Sequence, residues 1–216
     1  MGFCLFNQVA MAAHALRAEH GLERIAVVDW DVHHGNGTQT QFWNDRDVLF
    51  VSLHQFPFYP GTGALTEVGG GDAEGSTVNL PMPAGCGDVE YEAVFREIVV
   101  PVLRAFNPEF VLVSAGFDAH AQDPLGSMLV TQAGFRSLAS QLHEFADQHC
   151  GGRLALALEG GYDLGALGAS VREVAGVLTG LPSGLASVSA SLETPLARDL
   201  VTRFREAHSG FWTVLR

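Results

Sequence analysis

The segment Val28-Asp29-Trp30-Asp31-Val32-His33-His34-Gly35-Asn36-Gly37 places carboxylates and an imidazole at alternate positions just where an apolar run gives out. Residues two apart in an extended chain project to one side, so Asp29, Asp31 and His33 are expected to share a face. Oxygen and nitrogen donors of this kind suit a divalent metal such as zinc, and a catalytic site takes three protein donors and keeps one position open. The plainer alternative is that the two aspartates hydrogen-bond the turn into Gly35 and Gly37, as aspartate beside glycine commonly does. Charged groups at the end of an apolar strand are costly to desolvate unless paired or bound to a metal, which favours the metal reading.

Such a site needs elements that bring distant residues together. Along the chain, apolar runs alternate with stretches of helical periodicity, the pattern of crossover units on a mostly parallel sheet. The class is therefore α/β. A helix is expected where Val9, Ala12, Ala13 and Leu16 recur, followed by a strand over Arg24 to Trp30, a short helix over Thr38 to Trp43 and a strand over Val48 to Leu53. Residues 55–75 carry Pro57, Pro60 and six glycines and read as a long irregular loop, a kind of segment that is often functional. A short strand over Thr77 to Leu80 leads to a helix capped by Asp88, with Val94, Phe95, Ile98, Val102 and Phe106 inward and a kink at Pro101. Buried strands follow over Glu109 to Ala115 and Arg153 to Leu158. Between them Thr131 caps a helix that turns Phe135, Leu138, Leu142 and Phe145 inward. Two further helices are expected, one through Leu164, Leu167, Val171, Val174 and Leu178, the other over Pro195 to Ala207.

At 216 residues and 47% hydrophobic the chain can bury one core, and a single domain over residues 1–216 is expected. Its formal charge of −12 disfavours non-specific nucleic-acid binding. Cys4, Cys86 and Cys150 are odd in number and lack a CxxC spacing, so a reducing compartment such as the cytoplasm fits better than a disulfide framework. No apolar run reaches the length needed to span a bilayer, and no secretory leader is recognisable at the start.

In open α/β sheets the carboxyl ends of parallel strands line one crevice. Three such ends carry unusual residues: Asp31 and His33 after the first strand, Gly116-Phe117-Asp118 after Glu109 to Ala115, and Gly160-Gly161-Tyr162 after Arg153 to Leu158. Asp118 is the natural third ligand. Taken singly, Asp118 could be a turn cap and Tyr162 a packing aromatic with a wet hydroxyl. Their joint placement at strand ends points instead to a site.

The runs GFCLFN (2–7), DWDVHHGNGTQ (29–39), VSLHQFPFYPGTG (51–63), SAGFDAHAQDPLG (114–126) and LEGGYDL (158–164) resemble, in order and approximate spacing, the histone deacetylase family, most closely its class II and bacterial deacetylase-like members. The resemblance covers about residues 2–180 and implies the arginase-deacetylase fold. It implies zinc on Asp31, His33 and Asp118, and a Tyr162 hydroxyl donated to the substrate carbonyl. Phe3 and Tyr59 would wall a tunnel for an acylated lysine-like chain, with Gly161 near its floor. Structural potassium would be held, largely through backbone carbonyls, at Asp29, Asp31, His33, Ser52 and Leu53. A second, peripheral potassium would map to carbonyls of Phe42, Asp45, Val48 and Ser76.

The implied reaction is zinc-dependent hydrolysis of an acetyl or short acyl amide on a lysine-containing protein or a polyamine. The family takes its general base from paired histidines shortly before the Gly-Phe-Cys run, where Met1 stands here, so the base and the first strands of the sheet are expected to be missing. His34 is expected to point away from His33, and His54 and His120 to serve loop hydrogen bonds, which leaves no substitute base. The rival reading is a catalytically impaired metal-binding or interaction module on the same fold. A manganese ureohydrolase is a third, disfavoured because it needs more ligands for two metals. Missing strands would also bare a sheet edge and invite self-association.

Overall fold

The apolar runs read from the sequence become five parallel strands in the computed structural model, which describes residues 4–188 and 194–216. They are β1 (Ile25–Asp29), β2 (Val48–Gln55), β3 (Thr77–Met82), β4 (Phe110–Ala115) and β5 (Leu154–Leu158), in the order β3-β2-β1-β4-β5. Residues Ile25, Ala26, Val27 and Val28 of the central strand are fully buried, as a strand covered on both faces requires.

Connections from β1 run one way, to β2 and then β3, whereas the chain then crosses to β4 and β5 on the other side. The topological switch point thus falls between β1 and β4, and a crevice opens there at the strands' carboxyl ends. Register aligns those ends: Asp29 lies opposite both Ser52 of β2 and Ser114 of β4, and Ala115 lies opposite Leu158.

Helices cover both faces. Asn7 caps α1 (Gln8–His20) by accepting from the Ala10 N–H, and Val9, Ala10 and Ala13 pack against Ile25, Val27, Phe50 and Leu112. The short α2 (Asn36–Phe42) lies on this side and contributes Phe42. On the other face a larger cluster gathers α3 (Asp88–Val94), α4 (Val100–Phe106), α5 (Gln132–His149), α6 (Leu164–Leu178) and α7 (Pro195–His208) over the sheet. Thr131 caps α5 as expected, and Phe135, Leu138, Leu142 and Phe145 are buried.

Three local expectations are corrected. Gly87, not Asp88, is the N-cap of α3, with the Glu90 carboxylate accepting its N–H, while Asp88 accepts from the Thr131 N–H and hydroxyl at 2.7 Å each. The distortion expected at Pro101 lies a turn earlier: Phe95–Val99 forms a π turn closed by the Val100 N–H on the Phe95 carbonyl. Proline has no N–H for the carbonyl four residues back, and the wider turn absorbs that lost bond. Finally, β5 is not a buried strand but the sheet's outer edge, with Leu158 60% exposed. An apolar run does not announce whether a neighbour pairs with it. No helix among the described residues is long and apolar enough to cross a membrane.

Candidate metal centre and tyrosine loop

At Asp29 the strand ends, and the next residues form two tight turns rather than continuing extended. Asp29 Oδ1 accepts the Asp31 N–H at 3.1 Å, and Asp31 Oδ1 accepts the His33 N–H at 2.8 Å. The aspartates therefore do brace the turn. The alternation expected over Asp29, Asp31 and His33 accordingly breaks: Asp29 is buried with its carboxylate packed on Gly35, where a β-carbon would collide with it. Asp31 and His33 instead face Asp118.

These three side chains converge, with donor atoms within 4.8 Å of one another. His33 Nδ1 lies 3.1 Å from both Asp31 Oδ1 and Asp118 Oδ2. The second oxygens are tied to backbone: Asp118 Oδ1 accepts the Val32 N–H at 2.8 Å, and Asp31 Oδ2 accepts the Gly160 N–H at 3.0 Å. Asp118 is fully buried, whereas the His33 and Asp31 side chains are 22% and 15% exposed, so the cluster opens toward solvent on their side.

The electrostatics are those of a cation site. Burial alone would lower the His33 pKa, but hydrogen bonds to Asp118 and Asp31 and their charges outweigh it and raise it to about 10. Burial, helped by Asp31, pushes Asp118 up to about 6 against the opposing bonds from His33 and Val32. Asp29 and Glu159 are raised too, each first by burial and then by neighbouring carboxylates. Arg17, Arg24, Arg96, Arg136 and Arg205 pair with other carboxylates, and His33 is the cationic partner of Asp31 and Asp118. The donor set thus fits a divalent cation, which could take the place of the proton that His33 holds.

Tyr162 stands beside this cluster, 38% exposed. Its loop is fastened by the Gly160 N–H to Asp31, by the Phe117 N–H to the Gly160 carbonyl at 2.7 Å, and by its own N–H to Asp123 Oδ2 at 2.7 Å. Gly160 admits no side chain, because a β-carbon there would run into the Asp118 and Asp31 carboxylates. Gly161 adopts φ 137°, a conformation that favours glycine. Burial first, then the charges of Asp118, Asp31 and Asp123, push the Tyr162 phenol up to about 12, so it remains a donor at neutral pH.

Aromatic walls flank the imidazole. Tyr59, expected from the sequence, stands edge-on to His33 with centroids 6.2 Å apart, and Phe58, which sequence reasoning missed, stacks on it at 5.3 Å and 21°. The signal for Phe58 was its place beside Tyr59 between two prolines. Phe3 lies outside the described residues.

The remaining histidines hold the wall's loop. His54 Nε2 donates to the Gly63 carbonyl at 2.9 Å, which leaves Nδ1 to accept from Ser52 at 3.0 Å. His34 accepts from Thr62 at 2.8 Å and donates to Gln39 at 3.0 Å, tautomers assigned from the hydrogen-bond network. Burial lowers both, His54 to about 3. His120 Nδ1 accepts the Gln122 N–H at 3.0 Å. An open cleft of about 890 Å³ lined by Arg17, Arg24 and Arg46 lies at the opposite, amino ends of the strands, away from these donors.

Comparison with known proteins gives the chain's family and fold. The Histone deacetylase domain matches residues 1–178. The chain is 44% identical over 213 residues to Histone deacetylase 14, chloroplastic, of Arabidopsis thaliana, covering 96% of this chain and 50% of that protein. It is 48% identical over 163 residues to a Probable deacetylase of Archaeoglobus fulgidus, covering 76% and 45%. The crystal structure of the HDA15 HD domain superposes with a TM-score of 0.90 at 41% identity, covering 100% of this chain and 58% of that one. The histone deacetylase Clr3 gives 0.90 at 37%, covering 98% and 36%. The sheet and its flanking helices are thus of the arginase-deacetylase type, and the chain spans about half the length of the curated relatives it matches. The chain belongs to the histone deacetylase family.

Proposed function

We propose that residues 1–216 form one deacetylase-like catalytic unit that hydrolyses an acetyl or short acyl amide on a lysine side chain of a protein, or on a polyamine. The observation that carries this is the meeting of Asp31, His33 and Asp118 within 4.8 Å beside a loop that presents Tyr162. In this reading the three residues hold zinc. A divalent ion so held supplies Lewis acidity toward an amide carbonyl.

The chain's own residues supply the rest. Tyr162, held protonated, donates its hydroxyl to the charge developing on the carbonyl oxygen. Phe58 and Tyr59 wall the approach, Phe3 would complete the wall, and Gly161 lets the floor come close without a side chain. Potassium carried on the carbonyls of Asp29, Asp31, His33, Ser52 and Leu53 would offset the crowded carboxylates Asp29, Asp31, Asp118 and Glu159, whose repulsion adds to burial in raising Asp29. The negative net charge favours a cationic partner over nucleic acid, and the cysteines, free in the described structure, suit a reducing compartment such as the cytoplasm.

A second reading is favoured by a specific observation. His34, His54 and His120 are engaged in loop hydrogen bonds, so none of them is placed as a general base. That arrangement supports a metal-binding module that hydrolyses poorly, since losing a positioned base costs roughly 10² to 10⁴ in rate.

The test is metal titration of chelator-stripped protein followed by turnover of acetyl-lysine peptide and acetylpolyamine. The chain has twelve arginines and no lysine, so it carries no acetyl-lysine of its own to confuse a mass-based readout. Tyr162→Phe is expected to lower turnover by about 10² to 10³, the worth of one oxyanion donor. Unchanged turnover removes Tyr162 from the mechanism, and metal binding without turnover selects the module.

A further inference from the structure

Tyr162 follows two glycines, and Gly161 sits at φ 137°, so side chains next to it do little to fix its main chain. Before it, Gly160 is held on both its N–H and carbonyl. After it, Asp163 caps α6 by accepting the Ala166 N–H at 2.7 Å. At Tyr162 itself the main-chain N–H is held by Asp123, 7% exposed, whose Oδ2 takes it at 2.7 Å while Oδ1 takes the Leu125 N–H at 2.9 Å.

Asp123 is itself rigidly mounted. Its N–H bonds the His120 carbonyl at 2.8 Å, and Ala121 N–H bonds the Val130 carbonyl at 2.8 Å. The same loop begins with Asp118. One short segment therefore carries both a proposed metal ligand and the grip on the proposed oxyanion donor, and a shift of the segment moves the two together.

We propose that Asp123 is a positioning residue for Tyr162, fixing the main chain at the phenol's own residue and hence the direction from which its hydroxyl meets the Asp31, His33 and Asp118 cluster. The proposal rests on the reading of Tyr162 as donor given above. Two carboxylate oxygens serve two N–H groups here; an asparagine keeps one acceptor and turns an NH₂ toward the other, and an alanine keeps neither.

The experiment compares Asp123→Ala, Asp123→Asn, Tyr162→Phe and the Asp123→Ala/Tyr162→Phe double variant by amide hydrogen exchange and by zinc-loaded turnover on acetyl-lysine peptide. Asp123→Ala is expected to speed exchange at the Tyr162 amide by ~10-fold or more, with the β4 and β5 amides unchanged. Its kcat should fall by ~10 to 10², the scale of a small misplacement, at constant KM. Asp123→Asn should recover part of both effects. In the Tyr162→Phe background Asp123→Ala should cost no further turnover, which a merely structural loss would not reproduce. Unchanged exchange at Tyr162, or an equal further loss in the Tyr162→Phe background, overturns the proposal. Should the chain bind zinc without turning over, the exchange arm alone decides the proposal, and the failure belongs to the functional reading.

Discussion

His33 Nδ1 lies 3.1 Å from Asp118 Oδ2, joining a residue just beyond β1 to one just beyond β4 across the sheet's switch point. With Asp31 equally near, the imidazole retains a proton up to about pH 10 in the metal-free protein. A metal must expel that proton. Divalent metal binding at pH 7 is therefore expected to release close to one proton, with apparent affinity rising as pH rises toward 10. Calorimetric titration in buffers of differing ionisation enthalpy reads the proton count directly. Asp118→Asn should weaken binding by more than ~10²-fold, because loss of a group that merely supports a ligand already costs 10 to 100-fold.

The same shift fixes how metal-free stability depends on pH. A histidine whose folded pKa is raised contributes stability fully below its ordinary value near 6.5 and loses it as pH climbs toward about 10. Asp118, raised to about 6, acts in the same direction between its ordinary value and 6. Below pH 7 the buried neutral His34, His54 and His208 oppose this, because unfolding lets them take up protons. Chelator-stripped protein should thus melt at progressively lower temperature only above that range, as pH climbs from the ordinary histidine value toward about 10, and metal should flatten or reverse that slope. Melting temperatures that rise with pH above the ordinary histidine range in the stripped protein would falsify the ion pairing of His33.

Two glycines make a sharp contrast. An alanine at Gly160 would put its β-carbon into the Asp118 and Asp31 carboxylates, whereas Gly168, exposed on α6, meets nothing within 4 Å. Gly160→Ala is expected to abolish metal binding or to lower the melting temperature steeply, while Gly168→Ala should stabilise by ~0.5–1 kcal/mol through helix propensity. Equal behaviour of the two variants in metal titration and thermal melts would show that the close approach at Gly160 is not needed.

Much of this is legible in the sequence alone. Apolar runs marked all five strands to within two residues at either end, and carboxylate and imidazole side chains at their carboxyl ends marked the site, because few structural roles explain acid beside histidine there. What stayed hidden depends on partners distant in sequence. Asp123 and Tyr162 lie 39 residues apart, and Phe58 meets His33 only when the loop folds back. The Asp29 error was local: period two holds only while the strand does, and the Asx turns end it one residue early. The exposure of β5 was invisible because an edge strand and a central one share the same apolar composition.

The aromatic wall depends on a carboxylate that no motif singled out. Glu67 accepts from Gln39 Nε2 at 2.6 Å, from the Gly63 N–H and the Ala64 N–H at 3.1 Å each, and its carbonyl takes Asn79 Nδ2 at 2.9 Å. Burial opposes the charge, but these donors outweigh it and hold the carboxyl below its ordinary value. The latch therefore works above the ordinary glutamate pKa and fails as pH drops through the lowered one. Glu67→Ala should speed limited proteolysis within residues 56–67 and cost ~1–3 kcal/mol, the penalty for stranded backbone donors. Cleavage no faster than in the parent protein would show that the loop is held by other contacts.

Strand β5 has the sequence Leu-Ala-Leu-Ala-Leu and forms the outer edge of the sheet, with Leu158 60% exposed and Ala155 also exposed. An uncharged apolar edge offers unpaired backbone groups to any strand that approaches, and its lack of charge removes the local repulsion that a −12 protein otherwise provides. Concentration-dependent association is therefore expected in sedimentation velocity. Ala155→Lys places a charge on that edge without touching the metal cluster, so it should shift the protein toward the monomer and leave metal affinity unchanged. If the lysine variant associates as readily as its parent, the contact lies on another surface.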